Sequence, residues 1–542
     1  MIIKQRFFNF FYPWVIILSI MACVGTLSTA QLDAPFDDPA IDAFLNENVQ
    51  AAEEACDKES VIGLLQDFNI IDLLKQDFYL RTNYLNKRSL LDEALFMNEW
   101  CSQCDNYFSA YLFFNQYTRK NFTTKRDTIN AYLAVGDDQF IDNLQAILEE
   151  IEDLINFDTE SAVAVLSLIE NFVVEERRLG FMFSGQYTWC DWRLRVKMPL
   201  QYHERNYFAN LEIQNALQEL LDPITGAPSP QEEGRFQREH LISDQFGVGD
   251  TRIEIDYPVV DTCNTNMRAG FLATIPTAYA FKKGLYGSFF CRNRNRPTID
   301  LCLLVDQEAI SSGALEQAFT NFFLQAMDYL SAILLDTRLG NNGHFGLGAL
   351  LHSQGCLGKW VNRPWAQNIK IKSRLSAEYL IPKEERVFFI EHNNAAEFDC
   401  RDFDDENQVD SNFDFLTRVL TNRFFPFNFK AKVSPGVIFR STSRLIYERC
   451  KWGGYFGFDS YLQIGQGISE ICAPDKIKKV LCKAKAEKSW IYQSRIIGGL
   501  SYRIPRSCSK CDVILSLNGG LTYMTRGLGK DFTLSFNIDT NF

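Results

Sequence analysis

Apolar and polar residues alternate one by one through much of the chain after about residue 106. The clearest example is 532–542, where Phe532 and Leu534 belong to one face and Thr533 and Ser535 to the other. A period of two residues predicts β-strands with one apolar face and one polar face. The repeated pattern therefore predicts a protein made mainly of such strands.

Twelve segments carry the alternation. Most approach the roughly nine to eleven residues that a tilted strand needs to cross a membrane. Because some contain Gly or Pro, the prediction is about twelve strands, with a range of ten to fourteen. The segments are 106–116, 180–189, 191–200, 249–258, 268–281, 343–352, 367–380, 435–448, 452–465, 489–503, 512–524 and 531–542.

The connections between these segments alternate in length. The predicted long connections are 117–179, 201–248, 282–342, 381–434, 466–488 and 525–530, and the short ones are 189/191, 259–267, 353–366, 449–451 and 504–511. Only 525–530 departs from the alternation. An up-and-down transmembrane barrel has long loops on one side and short turns on the other, so the lengths predict that fold. Helical patterns at 138–174 and 306–338 predict helical insertions in two long loops.

The first hundred residues follow other patterns. Lys4 and Arg6 precede an apolar run, and small residues precede Gln31, so residues 1–30 are predicted to be a signal peptide. Residues 31–105 carry apolar positions at helical spacing and are predicted to form a mainly helical segment, which would be a periplasmic domain, a plug or a cap. The barrel is predicted to occupy 106–542. No second long apolar run follows, so a membrane-spanning chain would have to cross with strands.

Basic and acidic residues occupy the polar positions of several predicted strands. Such charges are costly against lipid, so they are predicted to face the barrel lumen. A lumen lined by cations favours anionic solutes, whereas pairing with acids would merely fill a plugged barrel. The predicted lumen-lining residues are Arg193, Arg195, Lys197, Arg252, Glu254, Asp256, Lys370, Lys372, Arg374, Arg440 and Arg444. The formal net charge of −13 argues against a nucleic-acid partner.

Cysteines are numerous, at 15 in the whole chain. In an exported chain they favour disulfides over a metal site, and no metal or other cofactor is predicted. The disulfide candidates are Cys101, Cys104, Cys291, Cys302, Cys472, Cys482, Cys508 and Cys511. The sequence lacks the Gly-x-Ser-x-Gly, Gly-Lys-Ser/Thr and His-Glu-x-x-His motifs, so no enzymatic activity is predicted.

The signal peptide, the alternating loop lengths and the last strand together resemble Gram-negative outer-membrane β-barrel proteins over residues 106–542. In that class the last strand is the signal for the barrel-assembly machinery, and Phe536, Ile538 and Phe542 match it. The resemblance implies a location in the bacterial outer membrane, among its lipid and lipopolysaccharide. The many cysteines depart from the class.

Three functions remain open at this point. The first is a porin-like channel or uptake barrel for small solutes. The second is a surface structural or adhesive barrel with a plugged lumen, and the third is a secreted, soluble, disulfide-rich β protein. The sequence does not identify a solute, an oligomeric state or a disulfide connectivity.

Overall fold

Twelve antiparallel strands close into a barrel in the computed structural model of the chain. The residues described are 78–80, 106–117, 133–135, 174–207, 242–262, 265–282, 337–361, 363–390, 425–487, 490–505, 512–526 and 530–541, with Pro297, Gln325 and Tyr329. Among these residues, no helix is long and apolar enough to cross a membrane.

The strands are numbered in chain order. They are β1 (Phe78–Leu80), β2 (Tyr107–Tyr117), β3 (Leu133–Val135), β4 (Val174–Trp189), β5 (Trp192–Tyr207), β6 (Ile242–Val248), β7 (Thr251–Asp261), β8 (Thr265–Ile275), β9 (Tyr279–Lys282), β10 (Gly346–Cys356), β11 (Ile369–Leu380), β12 (Lys383–Phe389), β13 (Phe427–Ser434), β14 (Val437–Arg449), β15 (Trp452–Gln463), β16 (Gly467–Cys472), β17 (Ile491–Ile504), β18 (Val513–Arg526) and β19 (Asp531–Asn541). The helices are α1 (Leu357–Trp360), a 3-10 turn (Pro364–Asn368), α2 (Asp475–Val480) and α3 (Lys483–Ala486).

The barrel wall follows the chain in an up-and-down order. Its strands are β2, β4, β5, β7, β8, β10, β11, β14, β15, β17, β18 and β19, and the circle closes where β19 pairs with β2. Each of the twelve predicted strands overlaps one of these, so the predicted barrel is confirmed. The predicted helical insertions and residues 31–105 lie outside the described residues, apart from the helical Gln325 and Tyr329, Thr337 and Arg338, and the short strand β1.

Short and long connections lie at opposite ends of the barrel, as the sequence predicts, apart from the short connection between β18 and β19 at the end with the long ones. Two short turns consist of two residues each, and their first residues, Cys190 and Cys450, adopt the left-handed conformation. Aromatic side chains surround this end: Trp192 lies 5.0 Å from Tyr257, centroid to centroid, and Trp452 lies 4.8 Å from Tyr502. Such an aromatic belt is typical of the boundary between membrane and water.

The two faces of the wall have opposite character. On β19 the inward side chains of Asp531 and Asn537 are at most 2% exposed, whereas the outward Leu534, Phe536 and Ile538 are 43–51% exposed. A soluble barrel would bury the apolar face instead. An apolar exterior around a polar interior is the arrangement that suits a hydrocarbon solvent.

Several strands continue beyond the barrel at the end with the long connections. Beyond the breaks near Pro382, Gly436 and Gly465, strands β12, β13 and β16 form a separate three-stranded sheet that keeps the order of β11, β14 and β15. Val387, Val433 and other apolar residues of this outer sheet pack against α2 and α3. Likewise, β6 and β9 extend β7 and β8.

The outward face offers a direct test of its lipid contact. Phe271 on β8 is 74% exposed, and Val259 near the short-turn end of β7 is 65% exposed. We expect Phe271→Arg to destabilise the barrel by about 2–4 kcal/mol, and Val259→Arg by about 0–1 kcal/mol, because the cost of a charge falls toward the membrane surface. Urea unfolding of both variants in vesicles measures this difference. Equal losses of stability in the two variants would contradict the placement of Phe271 deeper in the membrane than Val259.

Candidate functional site

Basic side chains concentrate on the inner face of six neighbouring strands, which we call the basic wall: β5, β7, β8, β10, β11 and β14. Several face each other directly across the sheet. Lys197 is opposite Arg252, and Lys372 is opposite Arg444. Because like charges directly opposite each other are destabilising, this wall needs negative charge close by.

Two carboxylates on β7 supply much of that charge. Asp256 accepts hydrogen bonds from Arg193 (2.9 Å to Nη2), Arg195 (2.7 Å) and Arg268. Glu254 accepts from Arg195 (3.0 Å) and Arg374 (2.6 Å), and it forms ion pairs with Lys197 and Arg252. Together with Glu378, which pairs with Arg252 at 3.5 Å, three carboxylates face six basic side chains. The cluster therefore keeps an excess of positive charge.

Aromatic rings support two more arginines of the basic wall. The guanidinium carbon of Arg440 lies 5.3 Å from the ring centroid of Tyr461, and that of Arg444 lies 4.7 Å from Tyr455. Both arginines are buried on β14. A ring face attracts a cation without neutralising its charge, so the positive potential of this part of the wall is retained.

The opposite part of the interior, which we call the polar wall, is formed by β18, β19 and β2. None of its buried side chains is basic. Asn115 donates to Asp531 (2.9 Å) and to Thr533 (2.7 Å), and Asn518 donates to Ser535 (3.3 Å). The interior is thus divided into a basic side and a side of mainly amides, hydroxyls and acids, where Tyr111 and Phe113 are also buried and one arginine of the adjacent strand β17, Arg495, donates to Thr533 at 2.7 Å. The alternation of the sequence marks these polar residues, but our prediction of lumen residues did not include them.

The residues predicted to line the lumen all occupy inward positions on the basic wall. Nine of the eleven belong either to the cluster around Glu254 and Asp256 or to the pair of arginines that contact tyrosine rings. The other two are Lys370, which pairs with Glu448 at 2.6 Å, and Lys372, which is opposite Arg444. Whether they line an open passage stays a prediction. Of the predicted assembly signal, Phe536 and Ile538 face outward and Phe542 lies outside the described residues.

No disulfide joins the two candidate cysteines that the structure describes, and their pairing stays a prediction. Cys472 and Cys482 both carry free thiols. Cys472 is exposed at the end of β16, whereas Cys482 is buried beside the outer sheet, where its backbone N–H donates to Ile390 O at 2.8 Å. The other candidates, Cys101, Cys104, Cys291, Cys302, Cys508 and Cys511, lie outside the described residues.

A second charged cluster lies at the outer end of the barrel, beside the long connections. Glu176 on β4 accepts from Arg178 at 2.6 Å and from Arg205 at 3.0 Å, and His203 Nε2 lies 3.0 Å from the same carboxylate. The outward neighbour Arg177 is charged and half-exposed, so this level lies beyond the apolar belt. Burial alone would raise the pKa of Glu176, but the surrounding cations outweigh it and hold that pKa well below its usual range.

A closed barrel of twelve antiparallel strands, apolar outside and charged inside, defines a class of protein: the β-barrel of bacterial outer membranes. The chain is therefore a protein of the bacterial outer membrane, and its inward charges are the candidate site for passing or binding a solute.

Comparison with solved structures finds channels, porins and transporters. An outer membrane channel from Pseudomonas putida F1 has 8% identity and a TM-score of 0.37, with 82% of this chain and 100% of that chain covered. The toluene transporter TbuX of Ralstonia pickettii has 9% identity and a TM-score of 0.28, with 82% and 90% covered. The NanC porin has 8% identity and a TM-score of 0.23, with 68% and 93% covered.

No protein-family model matches the sequence, and no curated protein matches it. Among the described residues, no group of three or more His, Cys, Asp or Glu side chains is placed to hold a metal ion.

Proposed function

We propose that the barrel is a passive outer-membrane channel for small solutes and that it prefers anions. The observation that carries this proposal is the division of the interior into a basic wall and a polar wall without buried basic side chains. In a space shielded from bulk water, such a division sets a field across the lumen that attracts anions to one side.

A hydrophobic solute fits this interior less well. The TbuX protein is described as a toluene transporter. In the present chain, a hydrocarbon passing along the lumen would contact arginine and lysine side chains and displace their water without replacing its hydrogen bonds. Desolvating such groups costs several kcal/mol, on the order of the free energy that burying a small apolar molecule provides.

The plugged surface barrel is the second candidate. It is supported by the burial of the inward charges, since many of them are less than 7% exposed. If the side chains and the long connections fill the interior completely, the charge pairs serve stability alone. The two candidates differ in one measurable property, which is the passage of ions.

The proposal implies the partners expected of the class. Export would use the predicted signal peptide 1–30, and insertion would use the barrel-assembly machinery. Outer-membrane lipid and lipopolysaccharide would cover the apolar belt. No catalytic reaction is part of the proposal. Disulfides between cysteines outside the described residues stay a prediction.

Purified, folded protein in planar bilayers tests the function. We expect discrete conductance steps and, in a KCl gradient, a reversal potential whose sign shows chloride to be more permeant than potassium. Migration on unheated gels identifies the folded barrel beforehand. Absence of conductance from folded protein would favour the plugged barrel, and a preference for potassium would contradict the role of the basic wall.

A further inference from the structure

Residues 337–345, which we call the strap, lie immediately before β10 on the inner side of the barrel. Thr337, Asn341 and His344 are at most 2% exposed, and Leu339 is 8% exposed. These values are unusual for a connection at the long-loop end, where segments generally run over the surface. The strap therefore occupies interior space at this end of the barrel.

The first part of the strap lies on β5. The side-chain amide of Gln201 donates to Leu339 O at 3.0 Å, and His203 Nδ1 lies 3.2 Å from Arg338 O. Gln201 and His203 face the interior of the barrel. They follow Lys197 and Pro199 along the inner face of β5, and they are therefore closer to the long-loop end than the opposed pair of Lys197 and Arg252. A solute entering from the long-loop side would reach the strap before the basic wall.

A buried carboxylate holds the middle of the strap. Asp250, between β6 and β7, accepts the backbone N–H of Asn341 and that of Ala278, the latter at 3.2 Å. Gly340 is pressed against the same group: a Cβ at this position would lie 2.6 Å from the Asp250 side chain and 2.6 Å from Ala278 Cβ. Only glycine leaves room for this approach.

A second carboxylate holds the far end. Glu385 on β12 accepts from Arg338 at 3.2 Å and from Asn342, and His344 Nε2 contacts its other oxygen. Asn342 and Gly343 turn the chain there with φ values of 58° and 81°. The strap thus follows the inner wall from β5 to the extension of β11 and is fastened at both ends by polar contacts.

We propose that the strap forms the constriction of the channel on its outer side, and that Asp250 and Glu385 set the width of the passage by holding it against the wall. This inference rests on the proposed channel function. Charge-assisted hydrogen bonds fix such a segment in one geometry, yet they can be broken without disturbing the strand pairs of the barrel.

Two independent changes release the strap. The double variant Asp250→Asn, Glu385→Gln replaces both carboxyl groups by amides with little change in volume, so that each side chain loses one acceptor oxygen. Gly340→Val keeps both carboxyl groups and forces the strap away from Asp250 and Ala278. We expect either change to alter the single-channel conductance by about twofold or more, because conductance depends on the narrowest cross-section of a pore.

Matched controls exist on the outer sheet. Glu470→Gln removes an exposed carboxylate whose ion pair with Lys432, at 2.7 Å, lies on the surface. Gly467→Val adds a side chain where a Cβ meets nothing within 4 Å. Both controls should conduct like the unaltered protein. Migration on unheated gels shows that each variant is folded before it is measured.

The outcomes separate the strap from the channel function. A changed conductance in both strap variants, with unchanged controls, supports the constriction. If the unaltered protein is closed and the strap variants open, the strap blocks the lumen, and both the passive channel and the constriction of an open passage are overturned. If the unaltered protein conducts and folded strap variants conduct equally, the strap inference is overturned and the channel remains. If no folded form conducts, both proposals fail.

Discussion

Replacing Lys372 and Arg444 together with glutamine is expected to reduce the preference of the channel for anions strongly. The two residues face each other across β11 and β14. They lie outside the group that is joined by Glu254 and Asp256, so the substitution leaves those ion pairs intact. A unit charge contributes about 1 kcal/mol to a monovalent ion 4 Å away even in water, so losing two charges weakens the attraction of an anion at that distance by up to about 2 kcal/mol, a factor of about 30.

The measurement is the reversal potential of the variant in the same KCl gradient as the unaltered protein. Replacing Lys478 and Lys479 on α2 with glutamine provides the control, because it removes the same number of charges from the exterior. We expect the control to leave the reversal potential unchanged. Equal effects of the two double variants would mean that net charge, rather than the position of the charges in the lumen, sets the selectivity.

Asp256→Asn is expected to cause the largest loss of stability. The Asp256 carboxylate is fully buried and accepts hydrogen bonds from three arginines, Arg193, Arg195 and Arg268. Neutralising it leaves these cations close together in a confined space. Breaking a buried ion pair by removing one partner costs about 3–5 kcal/mol, and here three partners lose their counter-charge.

Urea unfolding in detergent micelles, followed by migration on unheated gels, measures this loss. Asp261→Asn is the control, since Asp261 is exposed at the end of β7. Adding Arg268→Gln to Asp256→Asn should restore part of the stability, because it removes one of the three arginines that lost their counter-charge. No recovery in the double variant would indicate that repulsion between the arginines is not the cause of the loss.

The sequence predicts the barrel well because lipid imposes a strict alternation on every strand that crosses it. The limit of this signal is visible on β4, where the prediction begins at residue 180 but the strand begins at Val174. Residues 174–178 include Glu175 and Arg177, which face outward beyond the apolar belt. Once a strand extends beyond the lipid, both of its faces can be polar without cost. The alternation of apolar and polar residues therefore ends, although the strand continues.

The outer sheet was missed for a related reason. The prediction assigned 381–434 to one long loop, although β12 and β13 lie within it. These strands follow or precede Pro382 and Pro435, which normally mark the end of a strand. Here each proline marks a bend between a strand of the barrel wall and a strand of the outer sheet. The strands of the outer sheet have the same order as the wall strands that they continue.

The charged interior was only partly predictable. Alternation places Arg195 and Glu254 on the inner face. The hydrogen bond from Arg374 on β11 to Glu254 on β7, however, spans the two intervening strands β8 and β10, so it requires the closed curvature of the barrel. The strap illustrates the same limit. Its first contacts, with Gln201 and His203, join residues more than 130 positions apart, and no local pattern encodes such a meeting.

The outer sheet also determines how neighbouring copies of the barrel could meet. Its edge strands are β12 and β16, and unprotected edges invite pairing with the backbone of another chain. Here β12 begins with Lys383, Glu384 and Glu385, and β16 is interrupted at Glu470, whose φ of 50° coincides with a shift in register. Among the described residues, these features disfavour the addition of a straight strand to either edge. Crowded barrels would therefore touch through side chains and lipid and would stay separate molecules, rather than fuse into a continuous sheet above the membrane.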